Sequence, residues 1–250
     1  MSARRVEREV VTGVHRLSSG VSNFYVIVED GRLLLVDAGA SRDWDLFVRY
    51  VTGIGRSPRD LQAVLLTHAH SDHTGFAERA RTDTAAAVWV HEADVAVAGG
   101  AAQGRNEGRY RTYVFRAEFW RTVFGLMRHG GVKIVPIHRV SAFADGHAFD
   151  LPGRPRAIHV PGHTPGMSAL LLERRRILLT GDCLVTRNPL TGRIGPQVMP
   201  RALNRDTATA LASLAKLETV PADIVLPGHG DPWIEGATSA VSLARQAGPS

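Results

Sequence analysis

The chain has 250 residues, 44% hydrophobic and 22% charged, a globular balance that allows one well-filled core, so a single α/β domain over residues 1–250 is the expected unit. No apolar run approaches the roughly 18 residues that span a bilayer, and the opening Met1-Ser2-Ala3-Arg4-Arg5-Val6-Glu7-Arg8-Glu9 lacks an apolar signal core; with Cys183 as its one cysteine, the chain reads as cytoplasmic, free of internal disulfides and of membrane spans. The net charge is +6, but lysine occurs only at Lys133 and Lys216 and the arginines scatter from Arg4 to Arg245, a solvated surface rather than a nucleic-acid face.

In chain order, Val10 to Leu17, Asn23 to Val28 and Leu33 to Val36 are β-rich runs separated by turn signals, which predicts an antiparallel meander. Trp44, Phe47, Val48 and Val51 have helical spacing between Arg42 and Gly53; a strand follows at Ala63 to Thr67, a helix at about Thr74 to Arg81, and a strand at Ala87 to Val90. Residues 92–141 repeat no strand signal. Within them Tyr110, Tyr113, Val114, Ala117, Trp120, Phe124 and Met127 fall near one helical face, read either as a helix packed on the core or as a lid presenting aromatic surface to a substrate. Strands return after Ser141: Ala157 to Val160, then Ala169 to Leu172 and Ile177 to Thr180 as a hairpin. An amphipathic helix over Asp206 to Glu218, a strand at Ile224 to Leu226 and a helix from Gly236 complete the chain.

The segments richest in potential ligands each follow a predicted strand, where a sheet can aim a loop at one point. Thr67-His68-Ala69-His70-Ser71-Asp72-His73-Thr74-Gly75 is the densest. Alternate residues of an extended loop share a side, so His68 and His70 can hold one ion while Asp72 and His73 turn toward a second. Pro161-Gly162-His163-Thr164-Pro165-Gly166, Thr180-Gly181-Asp182-Cys183 and Pro227-Gly228-His229-Gly230-Asp231 each offer a polar ligand flanked by glycine. His91 reads as a helix-start residue or one that supports a ligand from behind, His15, His129, His138, His147 and His159 as surface or satisfied core histidines, and Cys183 as a small buried hydrophobe.

The ordered set H-x-H-x-D-H, P-G-H-T-P-G, G-D and P-G-H-G resembles the metallo-β-lactamase superfamily. Residues from Asn23 through Val36-Asp37-Ala38-Gly39 match its opening, and Asp145-Gly146 its turn before the second half. The resemblance covers most of the chain outside residues 92–141, which become a helical insertion, a candidate lid or pocket wall. It implies a four-layer αββα sandwich of two mixed β-sheets with helices on the outer faces. It also implies two divalent metal ions, Zn2+ first with Mn2+ or Fe2+ as alternatives. One ion would lie on His68, His70 and His163 and the other on Asp72, His73 and His229, with Asp182 bridging; Asp37 would hold a ligand in place from behind.

Two such ions sharing a water would yield a bridging hydroxide as nucleophile, with Asp72 orienting it or passing its proton to the leaving group. The catalytic carboxylates are then Asp72 and Asp182, and Tyr110, Tyr113 and Trp120 are candidates for the substrate pocket. Family β-lactamases lack the bridging Asp, glyoxalase-II-like thioesterases add a helical region where only 21 residues follow His229 here, and lactonases place a tyrosine after the bridging Asp where this chain has Cys183-Leu184-Val185-Thr186. Nuclease relatives carry added arms. The expectation is a hydrolase of a small-molecule ester, thioester or lactone, with a homodimer left open. The alternative is a mononuclear iron persulfide dioxygenase on His68, His163 and Asp182.

Overall fold

The computed structural model describes residues 6–250. Strands β1 (Val6–Val11), β2 (Val14–Ser18), β3 (Asn23–Glu29) and β4 (Arg32–Val36) form the expected antiparallel meander. Asp30 and Gly31 join β3 to β4, both with left-handed φ (49° and 79°), the handedness that lets a two-residue turn follow the strands' twist. Helix α1 (Trp44–Gly53) then returns the chain to β5 (Leu61–Leu65), and α2 (Ala77–Thr84) leads to β6 (Ala87–His91). Helices α3 (Val95–Ala98) and α4 (Ala117–His129) precede β7 (Ser141–Phe143), so β4, β5, β6 and β7 run parallel and the first sheet has the order β1 to β7.

The second half supplies β8 (Arg156–His159), β9 (Ser168–Leu172), β10 (Ile177–Gly181), β11 (Val185–Arg187), β12 (Ile194–Gln197), α5 (Thr207–Ser213), α6 (Ala215–Glu218), β13 (Ile224–Pro227) and α7 (Gly236–Ala247). Its main sheet has the order β13-β10-β9-β8, with β9 and β10 as the expected hairpin and β13 parallel to β10; β11 and β12 pair apart from it.

Alternation within fully apolar strands explains the layering. Tyr25, Ile27, Leu34, Val36 and Leu65 of the first sheet meet Ala157, Leu170, Leu172, Ile177 and Leu179 of the second, the core between the sheets. Their neighbours Phe24, Val26, Leu33 and Leu35 face outward onto Phe47 of α1 and Ala77 and Ala80 of α2. Ala169, Leu171 and Leu178 likewise face Leu217 of α6 and Val241 of α7. Two mixed sheets back to back with helices outside are the αββα sandwich. Among the described residues no helix is long and apolar enough to cross a membrane.

Several boundaries differ from the sequence reading. The run Val10 to Leu17 is divided at Thr12-Gly13 between β1 and β2. Helix α2 starts three residues late because Thr74 to Phe76 are committed elsewhere: Thr74 N–H donates to His70 O (2.9 Å), Gly75 N–H to Gly39 O (2.8 Å) and Phe76 N–H to Ala38 O (3.1 Å). The helix expected over Asp206 to Glu218 is two helices, α5 and α6, and β11 and β12 appear where no strand was expected. The aromatic stretch is not one helix. Tyr110–Thr112 is a single 3-10 turn, the chain opens at Val114, whose carbonyl accepts from the Trp120 indole N–H (2.8 Å), and α4 begins at Ala117. Nor does its expected apolar face pack inward: α4 buries Phe119, while Trp120, Phe124 and Met127 are 45%, 61% and 59% exposed.

Candidate metal centre

All seven predicted ligand residues come together at one end of the sandwich, from loops after β5, β8, β10 and β13. His68, His70, His163 and Asp182 form one group, and Asp72, His73 and His229 another, the candidate ligand atoms of each group lying within 4.8 Å of one another. His68, His73, His163 and Asp182 are almost completely buried.

Asp182 joins the two groups. Its Oδ2 lies 3.8 Å from His68 Nε2, 3.4 Å from His163 Nε2 and 3.3 Å from His229 Nε2, and its Oδ1 lies 3.4 Å from His73 Nε2. Asp72 Oδ2 stands 3.5 Å from His229 Nε2 and 3.7 Å from His73 Nε2. Gly228 makes room: a Cβ there would fall on Asp182 Oδ1, and without one the Gly228 N–H reaches Gly181 O at 2.7 Å, bringing the β10 and β13 loops together.

Four histidines present Nε2 to this centre because their Nδ1 atoms are engaged behind it. The engaged partners fix the tautomer. His73 Nδ1–H donates to Asp37 Oδ2 (2.9 Å), His229 Nδ1–H to Val21 O (3.0 Å) and His163 Nδ1–H to Asn204 Oδ1 (3.2 Å). Thr67 gives its hydroxyl hydrogen to Asp37 (2.9 Å), so its oxygen accepts from His68 Nδ1–H (3.0 Å). His70 is turned the other way, its Nδ1 lying 2.8 Å from His163 Nε2.

The electrostatics divide the site. Burial pushes the pKa of His68 and His70 down, and that of His163 to about 3, keeping them neutral as ligation requires. Burial opposes charge on His73 and His229 too, but the Asp182 and Asp72 carboxylates outweigh it and raise both. Burial of Asp182 is likewise outweighed, by His229 and His73, which hold its carboxyl well below the usual range. The buried atoms His68 Nε2, His73 Nε2 and Asp182 Oδ1 have no hydrogen-bond partner in the protein, although an unpartnered buried polar group is costly. Lone pairs of imidazole and carboxylate converging on one point suit divalent zinc, iron or manganese, so these residues fit a metal.

Asp37 sits behind His73 and also accepts from Thr67 N–H (2.8 Å). His91 starts the 3-10 turn after β6, its Nδ1 accepting from Ala93 N–H (3.2 Å), and Cys183 is buried in the outer core. His15, His129, His138 and His159 have partners of their own in Tyr50, Asp43, Glu78 and Pro165 O, and His147 packs on Phe149. Of the pocket candidates, Tyr113 is buried against Phe119, Leu190 and Ala202, and Trp120 lies half out on α4. Tyr110 is 48% exposed at the start of the aromatic stretch; partial burial raises its phenol pKa, a bond with Asn106 lowers it, and the Asp72 charge adds to the rise.

Two residues important to the centre were not singled out from the sequence. Asn204 aligns His163. Asp94, in the turn after β6, is buried and ties the two histidine loops together: its Oδ1 accepts from Gly166 N–H (2.8 Å) and its Oδ2 from Thr164 Oγ1–H (2.7 Å) and Ala69 N–H (3.1 Å). An acid in the first turn after a strand was the available signal. Asp94→Asn is expected to keep the fold but weaken metal binding by about 10–100-fold, measured by equilibrium dialysis beside a melting curve; unchanged affinity would make Asp94 a packing residue only.

Comparison with known proteins identifies the family. The model of the metallo-β-lactamase superfamily matches residues 18–229. A probable metallo-hydrolase, YflN of Bacillus subtilis (strain 168), is 27% identical over 243 residues, covering 90% of this chain and 86% of that protein. The hydroxyacylglutathione hydrolase GloC of Haemophilus influenzae is 26% identical over 200 residues, 78% of this chain and 79% of that one. A crystal structure of a metallo-β-lactamase family protein from Thermus thermophilus superposes with a TM-score of 0.67 at 23% identity, over 96% of this chain and 80% of that one. With its fold, its converging histidines and aspartates and a family match across most of its length, the chain belongs to the metallo-β-lactamase superfamily of metal-dependent hydrolases.

Proposed function

We propose that the protein is a two-metal hydrolase of a small-molecule ester, thioester or lactone. One observation carries the reading: the two ligand groups meet at a single carboxylate, Asp182, whose oxygens lie 3.3 to 3.8 Å from the Nε2 atoms of four histidines. His68, His70, His163 and Asp182 would hold one ion, and Asp72, His73, His229 and Asp182 the other. Zinc is the best match to this donor set, with manganese or iron(II) as alternatives. Bound there, such ions supply Lewis acidity toward a carbonyl oxygen and an activated water.

The protein's own groups do the rest. Asp182 sets the spacing of the two positions. Asp72, at 16% side-chain exposure against 2% for Asp182, is the carboxylate better placed to accept a proton and return it to a leaving group. Residues 101–131 rim the centre: Gln103 Nε2–H donates to Ala69 O (3.2 Å), Ser71 Oγ–H to Gly131 O (2.5 Å) and Glu107 N–H to Asn204 O (2.9 Å). They would form the wall against which a substrate's apolar part lies, with Tyr110 and Tyr113 as its aromatic members. The relation to a hydroxyacylglutathione hydrolase favours the thioester within this class.

The test is elemental analysis of protein purified without added metal, with a panel of ester, thioester, lactone and β-lactam substrates. About two zinc or manganese ions per chain are expected, with hydrolysis of an ester, thioester or lactone that a chelator abolishes and added metal restores. About one iron per chain, with oxygen uptake on a persulfide and no hydrolysis, would replace this reading by the dioxygenase.

A further inference from the structure

One cavity reaches the centre and a second adjoins the first. The inner one, about 390 Å³, reaches His229; the outer one, about 780 Å³, shares Gly20, Val21 and Arg121 with it. Val21 is the seam, since its carbonyl receives the His229 Nδ1–H. A substrate whose carbonyl lies at the metal centre can therefore extend past Val21 into the outer chamber.

The charge of the two cavities differs. In the inner one Arg16 is paired with Asp231 (2.7 Å) and Arg187 with Glu118 (2.8 Å). The outer chamber is lined by Arg42, Arg49, Arg121 and Arg128 against Asp43 and Asp45. The Asp43 carboxylate is engaged elsewhere: it is buried and accepts from Ala40 N–H (3.0 Å) and Ser19 Oγ–H (2.9 Å), with His129 Nδ1 at 3.1 Å. Asp45 is 83% exposed and its ion-pair neighbour is Arg79, at 4.0 Å. Arg42 donates to the Arg128 carbonyl (2.8 Å), which brings α4 against the start of α1. Among the described residues no carboxylate lies within ion-pair distance of either Arg42 or Arg128.

We infer that the outer chamber, between the start of α1 and the end of α4, is a subsite for an anionic group, a carboxylate or phosphate at the end of the substrate remote from the scissile carbonyl. Planar guanidinium donors match both oxyanions, and the exposed position makes the attraction sensitive to salt. The inference rests on the hydrolase reading above and narrows it to extended, negatively charged substrates.

Two ligands without a scissile thioester separate the anion sources and the two readings: S-methylglutathione for carboxylate, adenosine 3′,5′-bisphosphate for phosphate. Calorimetry on metal-loaded enzyme should show one of them binding, and Arg42→Ala and Arg128→Ala should each weaken it by about tenfold, with the binding falling as salt rises. In parallel, the kcat/KM ratio of lactoylglutathione to its diethyl ester, or of acetyl-coenzyme A to acetyl-N-acetylcysteamine, should exceed about ten and shrink in both variants. Binding of neither ligand, or equal binding by wild type and both variants, overturns the subsite even if a thioester is hydrolysed. Arginine-dependent binding with no hydrolysis of any panel substrate would keep the subsite and overturn the hydrolase reading.

Discussion

Replacing Asp182 by Ala is expected to leave a folded protein that has lost at least about a thousandfold in turnover and most of its metal. Asp182 belongs to one ligand group and stands against the other: the Nε2 atoms of His68, His73, His163 and His229 all lie within 3.8 Å of it. On the proposed two-metal reading, each position would lose a donor and the pair its common anion. His73 and His229, whose raised pKa depends on Asp182, then have only Asp72, and Asp37 in the case of His73, as counter-charge. The readout that separates ligation from folding is the thermal shift on adding metal. At about a hundred times the Kd, binding stabilises the native state by about 2.7 kcal/mol and should raise the wild-type Tm by roughly 5–10 °C. In Asp182→Ala that shift should nearly vanish while the far-ultraviolet circular dichroism stays that of wild type. A variant that keeps both the thermal shift and the turnover would show that Asp182 is not the shared ligand.

How much of this was legible in the sequence follows from where the determinants lie. Strands such as Leu33 to Val36 and Leu170 to Leu172 are apolar at every position because both faces of each sheet are covered, a local signal that needs no knowledge of partners. The ligand loops were legible for a similar reason, since His68, His70, Asp72 and His73 crowd into six residues and His163, Asp182 and His229 each stand beside glycine after a strand. What was not legible depends on distant atoms. Asp94 matters through Ala69, Thr164 and Gly166, and Asn204 through His163, contacts that no spacing encodes. Helix α2 loses its first turn to bonds with Gly39 and Ala38. The insertion misled because periodicity identifies an apolar face but not its cover: Trp120, Phe124 and Met127 have helical spacing yet look outward, and the Trp120 indole holds open the break at Val114. The short strands β11 and β12 carry no apolar signal of their own, and Thr186 N–H at the start of the first is held by His229 O (3.0 Å).

Asp37→Asn should be the most informative change outside the ligand set, because it alters one atom and keeps the shape. Asp37 closes β4 with a left-handed φ of 58°, a conformation that Asn adopts as readily as Asp, so the backbone is not strained by the exchange. The carboxylate accepts from Thr67 N–H and Thr67 Oγ1–H and, through Oδ2, from His73 Nδ1–H. An amide oxygen placed toward Thr67 N–H leaves its NH2 facing His73 Nδ1. Two donors then oppose each other unless His73 moves its proton to Nε2, where an N–H would point at Asp182 Oδ1, now 3.4 Å away, instead of a lone pair. The expected result is loss of the metal position made by Asp72, His73 and His229, with affinity there down by at least about 10–100-fold and turnover falling with it. The position made by His68, His70 and His163 should keep its metal, so metal titration should read about two equivalents in wild type and about one in the variant. Two equivalents at wild-type affinity in Asp37→Asn would mean that His73 presents its Nε2 lone pair without the Asp37 carboxylate. Loss of both equivalents with a lowered Tm would mean instead that Asp37 acts through Thr67 on the whole loop, and not through His73.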